Sequence, residues 1–450
     1  MILRIKEKRL NDPKNSERQY EFNNATIKIA QSTENFSITN SILSIFIKTF
    51  LPAGYPNSVR SEYLSYQFWD SLQGLCSYLR SVFSIQAILI GAGVGNSEAS
   101  AIATTLAWVM KDGIGMLGSL LFAYLYSDTF EVNVKEWRLV ADVLCNIALT
   151  FDMLLTFMPD YFFEITSISS VCKSCCGLVA GATKARISAH FANKGHLADV
   201  TAKESTQETA VTLIGLVIGI FCTKYISISP RITWILFITL SFIHQYANYE
   251  LVRVLVLDTY NPQRLYLIVK YILNKKTNGC DDIPTPKEIS KLENIFRPMW
   301  LDLYGPQLGC KLSCIFDVFR KLTKRKGEEV ELWEKLCEVW KNEPFVISID
   351  IYGRFIICLK DDCVDDTSLI KSYTLAFYLM NYSPSNDSTP NWLHEKLYYI
   401  INYGANASLS WYSENIQTKD FTKFEWSSDS ASSRLGDKLW RYSPNTKKIF

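Results

Sequence analysis

The sequence predicts a mainly α-helical protein, a six-helix transmembrane bundle followed by a small cytosolic α+β domain. Three observations carry this expectation. Between residues 64 and 257 six apolar stretches each reach roughly the 20 residues that a helix needs to cross a hydrocarbon core, whereas residues 274 to 450 hold most of the charge-rich sequence. Lys and Arg fall unevenly among the connections between those stretches. Near residue 350 the stretch PFVISIDIYGRFIICLKDD alternates and carries a Tyr-Gly turn, which reads as a β-hairpin rather than a helix.

Composition sets outer limits. A chain of 450 residues is too long for one ordinary core and divides here into a polar segment at 1–50, a membrane domain at 51–273 and a C-terminal α+β domain at 278–450. The mean hydropathy of +0.03 averages two unlike halves. A formal net charge of +2 and the lack of a basic stripe with interleaved aromatics exclude nucleic acid as an expected partner. The 12 cysteines are scattered, without the paired spacing of a disulfide framework, which fits a reducing compartment. Cys172, Cys175 and Cys176 form a CxxCC cluster, but no second Cys or His pair follows at zinc-finger spacing, so small packing residues are the preferred reading and no metal is expected. The N-terminus is charged and lacks the apolar core of a signal peptide.

Along the chain, residues 1–50 read as polar with slight alternation at Ala25 to Ile29 and an apolar stretch from Ile38 to Phe50, closed by Pro52, Gly54 and Pro56. Ser61 and Glu62 mark a helix start. The six apolar segments are Ser71 to Gly95, Ala99 to Tyr126, Arg138 to Met158, Phe162 to Ala182, Thr209 to Ile228 and Arg231 to Tyr249. Charges at Arg80, Lys111, Asp112, Asp142 and Asp152 interrupt them, and a soluble all-helical core is the competing reading. With six crossings both termini share a side with Lys135, Lys184, Arg186 and Lys194, while the opposite side holds only Lys224 and Arg231. This is the positive-inside pattern of an integral membrane protein with both termini cytoplasmic.

Beyond Leu257, Thr259 to Lys276 reads as an amphipathic helix leaving the membrane and Asn278 to Pro286 as a linker. Phe345 to Ile349 and Arg354 to Lys360 form the expected hairpin, with helices at Ser368 to Met380 and Trp392 to Tyr403 packed on it and a flexible loop at Ser427 to Ser433.

Two polar groups stand out within the apolar half. Lys111 and Asp112 lie near the middle of the second segment, where the insertion scale assigns a charge about +2.5 to +3.5 kcal/mol. Neighbours in sequence point in different directions on a helix, so each is expected to have its own partner, either along a solute path or in a structural pair such as Lys111 with Asp142 or Asp152. The second group is the block GATKARISAHFANKGHLADVTAKESTQETAVT, Gly181 to Thr212, wedged between apolar runs. Its i, i+4 spacings align Asp199 with Lys203, Lys203 with Gln207 and Glu204 with Glu208. Arg186, His190, Asp199, Lys203, Glu204, Gln207 and Glu208 are expected to form a polar cavity or gate, or else a solvated loop with Ser205 to Glu208 as a capping box. Gly113, Gly115 and Gly118 spell GxGxxG, but without the acidic residue and second strand of a dinucleotide fold they are expected to let helices approach closely. His244, beside Gln245 and Asn248, is expected to anchor a helix end at the interface. No nucleophile elbow, P-loop, zinc-protease motif or kinase set occurs, so the chain is not expected to be an enzyme and no cofactor is expected.

The same block, with LPAGYPNSVRSEYLSYQFWDSLQ (51–73), WVMKDGIGMLGSLLFAY (108–124), KEWRLVADVL (135–144) and HQYANYELVRVL (244–255), resembles the Root UV-B sensitive family. The resemblance implies a eukaryotic membrane-associated protein of a family linked to vitamin B6 homeostasis, auxin transport and UV-B response, whose members are thought to work in pairs. Asn193 and Gly195 stand where the family more often has basic residues. The resulting expectation is a transporter-like protein that contacts membrane lipid, moves or helps move an unknown small polar solute, and forms a homo- or hetero-oligomer with a family member. The alternatives are a membrane scaffold that recruits a partner through its C-terminal domain, and a cofactor-binding protein or enzyme.

Overall fold

The computed structural model describes the chain apart from residues 1–2, 9–16, 24–25, 33–37, 94–100, 194, 227–228, 276–282, 297–304, 326, 361–365, 384–391, 418–440 and 443–450. Most of the linker expected at Asn278 to Pro286 and the whole loop at Ser427 to Ser433 lie outside the described residues. Two compact units divide the chain. The first comprises residues 1–83 and 187–247, the second 84–186 and 248–450.

The first unit begins with β1 (Leu3–Lys8), β2 (Glu17–Asn23) and β3 (Thr26–Ser32), an antiparallel meander in which Ile5 faces Tyr20 and Tyr20 faces Ile29. The sequence reading treated this stretch as polar with slight alternation, and the structure corrects it to a sheet. Its strands alternate charged and apolar residues (LRIKEK, TIKIAQS) over too few positions to separate from chance by eye. Helix α1 (Ile38–Phe50) follows, and a turn closed by Gly54 at φ +79° leads into α2 (Tyr63–Gly91). Here Tyr63 and Tyr66 pack on Phe191, with ring centroids 5.6 and 4.8 Å away. Helix α6 (Leu197–Ile226) lies so close to α2 that a Cβ at Gly215 would sit 2.7 Å from the Tyr78 ring.

The second unit holds α3 (Ala101–Tyr126), α4 (Val134–Leu154) and most of α5 (Phe162–Phe191). A Cβ at Gly115 would lie 2.5 Å from Ser170 Oγ, and one at Gly118 would lie 2.8 Å from Val171 Cγ1. Gly115 and Gly118 of the GxGxxG string therefore bring α3 against α5, as expected of small residues between apolar helices, whereas Gly113 meets nothing within 4 Å. Phe130, Trp137, Ala141 and Val179 form a small core at one end of this group, and Ile88, Leu155 and Ile165 form another.

Among the described residues four helices, not six, are long and apolar enough to cross a membrane: Tyr63–Gly91, Thr105–Thr129, Pro159–Phe191 and Leu197–Cys222. The expected third segment is α4, which carries Lys135, Glu136, Arg138, Asp142 and Asp152 in 21 residues and buries most of them. The sixth is α7 (Pro230–Val254), whose second half reads HQYANYELVRV and lowers its hydropathy. The six-segment count weighed these two helices by length like the others, although the charges of α4 and the polar second half of α7 set them apart by composition.

After α7 comes α8 (Pro262–Lys275), whose buried Leu265, Ile268, Val269 and Ile272 belong to the core of the C-terminal region. That core also takes in α9 (Pro286–Ser290), α10 (Ser313–Leu322), α11 (Glu328–Val339) and α12 (Asp366–Tyr382). They surround a small sheet in which β6 (Phe355–Lys360) is central. It pairs antiparallel with β5 (Phe345–Ile349) and parallel with β4 (Gln307–Leu308) and β7 (Arg441–Tyr442). The expected hairpin is present: Asp350 Oδ1 accepts from the backbone N–H groups of Tyr352 and Arg354, both at 2.9 Å, and Gly353 adopts φ +73°. Helices α13 (Trp392–Tyr399) and α14 (Ala405–Tyr412) complete the region. The fold is thus mainly helical, with several apolar membrane-length helices followed by a small strand-containing C-terminal region.

Gly118→Leu is expected to lower stability in detergent by about 1–3 kcal/mol, because the added side chain meets Val171. Gly113→Leu, which meets nothing within 4 Å, is expected to leave the thermal midpoint unchanged or slightly raised.

Candidate functional site

The close approach of α3 to α5 leaves a cavity of about 280 Å³ lined by Ile88, Lys111, Asp112, Asp152, Thr166, Ser169, Ser170, Lys173 and Ser174. Each wall has a local cause. Lys111 and Asp112 sit one turn before Gly115 on α3, Asp152 lies in the last turn of α4, and α5 presents a run of hydroxyls with Lys173 among them. Lys111 Nζ pairs with Asp112 Oδ1 at 2.6 Å and lies 4.4 Å from the centre of the Trp108 ring, so a cation–π contact supplements the ion pair. Asp152 Oδ2 accepts from both Ser84 Oγ and Lys173 Nζ at 2.5 Å. The Asp152 side chain is 1% exposed, that of Lys173 42%, so the pair has a fixed inner member and a movable outer one.

This arrangement corrects two expectations. Lys111 and Asp112, adjacent in sequence, do reach each other, because the long lysine stem bends where the helix direction of their Cα atoms would not allow contact. The structural pair anticipated for Lys111 with Asp142 or Asp152 is not formed; Lys173 takes Asp152 instead. Lys173, Ser169, Ser170 and Ser174 were missed by sequence reasoning. The signal was present as a five-residue string, Ser-Ser-Val-Cys-Lys, inside an apolar segment. Asp142 lies elsewhere, buried on α4 beside Arg138 and Cys176. Arg186 is half-buried on α5.

The remaining sequence-selected residues belong to the first unit, where three of them fasten the end of α1. Lys203 Nζ donates to the Lys48 carbonyl, Gln207 Nε2 donates to the Phe50 carbonyl at 2.5 Å, and Asp199 Oδ2 accepts from the Ala53 N–H at 2.6 Å. The last carbonyls of a helix have no partner of their own, and a lysine there also meets the negative end of the helix dipole. The i, i+4 stripe seen in the sequence is real, and its partner is backbone. Glu204 is buried and accepts from Gln67 Nε2 at 3.3 Å and Ser188 Oγ at 2.5 Å, while Glu208 is exposed. His190 Nε2 lies 3.1 Å from Glu62 Oε1. Burial pushes the Glu62 carboxyl up, but the hydrogen bond and field of His190, its own backbone N–H and the Ser61 hydroxyl together hold it below the usual carboxylate range. Ser205 to Glu208 does not cap a helix; α6 begins earlier, at Leu197, and the string lies inside it. His244 is fully buried with its Nε2 3.1 Å from Gln73 Nε2, which replaces the expected interface anchor with an internal contact.

A third polar group lies at the start of α4. Lys135 and Arg264, whose side chains are each 3% exposed, both donate to Glu293, 4% exposed; Lys135 also donates to Ser290 Oγ at 3.0 Å and Arg264 to the Thr259 carbonyl at 2.7 Å. Burial pushes the Glu293 carboxyl up, but Arg264 and Lys135 outweigh it and hold the carboxyl below its ordinary range. Among the described residues no group of three or more His, Cys, Asp or Glu side chains is placed to hold a metal ion.

A family model described as the vitamin B6 photo-protection and homoeostasis domain matches residues 37–276. The chain is 37% identical over 314 residues to RUS family member 1 of Dictyostelium discoideum, covering 69% of this chain and 58% of that protein. It is 34% identical over 369 residues to root UVB sensitive 3 of Arabidopsis thaliana, covering 79% of each, and 28% identical over 398 residues to the Arabidopsis protein root UVB sensitive 2, chloroplastic, covering 86% of this chain and 87% of that one. No solved structure matches it.

Glu293→Ala is expected to cost about 3–5 kcal/mol, because it leaves two buried cations without their carboxylate. The sign of the pH dependence follows from the lowered carboxyl: its contribution is complete at neutral pH and is lost only as pH falls through and below the ordinary carboxylate range. Thermal midpoints of the parent and of Glu293→Gln, measured from about pH 6 down to about pH 2, should therefore stay apart above the ordinary carboxylate range and converge below it.

Proposed function

Because the chain belongs to the Root UV-B sensitive family, a multi-pass, transporter-like group, we propose that it moves or helps move a small polar solute through the cavity between α3, α4 and α5. The family description names photo-protection and homoeostasis of vitamin B6 rather than a catalysed reaction, and the chain is read here as a non-enzymatic member; a vitamin B6 compound is the first solute to try. One observation carries the reading. Two ion pairs and four hydroxyl side chains are gathered in a small cavity walled in part by helices of membrane length, and ionisable groups at that depth are rare unless they serve a solute or ion path.

The exposed apolar residues of α3, among them Leu106, Val109, Met116, Leu117 and Leu120, are suited to lipid or to a second family member. Pairing of either kind fits the resemblance. With four crossings both termini again share one side, and the basic residues Arg4, Lys6, Lys8, Arg9 and Lys135 favour the cytosol for it. Lys184, Arg186 and Lys194, counted on the basic side under six crossings, leave that tally.

The transport reading is tested by pyridoxine flux into proteoliposomes carrying the full chain. Asp112→Asn and Lys173→Gln should each cut flux at least tenfold at equal protein abundance; unchanged flux in both removes the cavity from the pathway. Lys203→Gln, whose parent residue holds α1 instead, should lower thermal stability more than flux per folded molecule. For sidedness, a lone cysteine at position 193 should react with an impermeant maleimide from the side opposite the termini. Labelling from the same side would require another crossing.

A further inference from the structure

Three features of the cavity go beyond its being polar. The first is charge balance: the lining holds two lysines and two aspartates, and each lysine is already matched, Lys111 by Asp112 at 2.6 Å and Lys173 by Asp152 at 2.5 Å. The second is an unmet acceptor. Asp152 receives both of its hydrogen bonds on Oδ2, while Oδ1 is shielded from solvent and has no hydrogen-bond partner. A buried acceptor in that condition is a standing cost that a donor would relieve. The third is the direction of the neighbouring hydroxyls. Thr166 Oγ1 donates to the Phe162 carbonyl at 2.7 Å and Ser169 Oγ to the Ala148 carbonyl at 3.1 Å, so both protons are used and both oxygens can only accept.

We propose that this cavity recognises a solute of zero net charge that offers hydrogen-bond donors, one of them to Asp152 Oδ1, and that it discriminates against phosphate esters; the proposal rests on reading the cavity as a solute site. A phosphate would have to leave water for a place whose two lysine charges are each already balanced by an aspartate, so the Ser170 and Ser174 hydroxyls could donate to it but its net charge would go uncompensated. A hydroxyl or amine donor meets the opposite situation. Oδ1 is shielded from solvent, so a donor reaches it only after the lining shifts, and the Lys173 stem, the exposed member of its pair, is the part with room to move.

The test measures equilibrium binding to the purified full chain in detergent, using pyridoxine, which is net-neutral at pH 7 and carries hydroxyl donors, and pyridoxine 5′-phosphate, the same ring with an anionic ester. Pyridoxine should bind at least tenfold more tightly. In Asp152→Asn the Lys173 charge loses its counter-ion, so the ratio should shift toward the phosphate ester by tenfold or more. Asp152→Asn combined with Lys173→Gln removes both charges and should cancel that shift. If Asp152→Asn does not fold, Lys173→Gln alone should move the ratio the other way, weakening the ester further. Equal or tighter binding of the ester by the parent, an unchanged ratio in the charge variants, or no binding of pyridoxine overturns the proposal. Cavity-dependent flux of an anionic solute in the proteoliposome assay would overturn it too, while leaving the solute-site reading in place.

Discussion

A helix can carry charges into a protein interior only if each charge is met there, and α4 imposes that condition on everything around it. It brings Lys135, Arg138, Asp142 and Asp152 into buried positions. A buried ion without a counter-charge costs several kcal/mol, so the elements that supply partners are held where those partners are needed. Glu293 meets Lys135 and Arg264 at the N-terminal end. At the C-terminal end Lys173 and Ser84 meet Asp152. The same charges set α4 apart from the four helices that are long and apolar enough to cross a membrane.

The cavity follows from two opposed packing demands on α5. Gly115 and Gly118 let α3 approach until a single added carbon would collide with Ser170 or Val171. One turn away, Lys111 and Lys173 are too long to be accommodated in the same close contact, and the surfaces part around them. Small residues set the separation and large charged ones fill the gap that remains. A cavity formed in this way is inherently polar, because the groups that prevent closure are those that cannot lie flat against an apolar neighbour.

How much of this was legible in the sequence depends on whether the determining contact was local. The hairpin at 345–360 was legible because short runs of β-branched and aromatic residues flank the local Asp-Ile-Tyr-Gly turn, although its strands are buried on both faces rather than alternating. The close-approach role of the glycines was legible because small residues in an apolar helix have few other uses. The number of spans was overcounted, although the five charged residues of α4 and the polar second half of α7 stand in the sequence, because segment length was given more weight than charge. The polar stripe of Asp199, Lys203 and Gln207 was correctly placed on one face, yet its partners are the Ala53 N–H and the Lys48 and Phe50 carbonyls, and backbone groups leave no residue-specific trace. Lys173 was overlooked for a related reason: a single lysine among cysteines and serines becomes informative only when Asp152 is placed opposite it.

Lys135 and Asp152 lie 17 residues apart on α4, which for a continuous helix is about 25 Å. One rigid rod therefore carries an ionic anchor to the C-terminal region at one end and a wall of the cavity at the other. A helix transmits displacement along its axis far better than a loop does, since bending it means lengthening backbone hydrogen bonds over several turns. Rocking the segment around Glu293 would thus tilt the Asp152 carboxylate relative to Ser169 and Lys173, whose positions are set by α5. The C-terminal region is in this sense part of the cavity's mechanical frame, because the charges that fix it to α4 are buried too deeply to be exchanged for water without a cost comparable to a substantial fraction of a domain's stability.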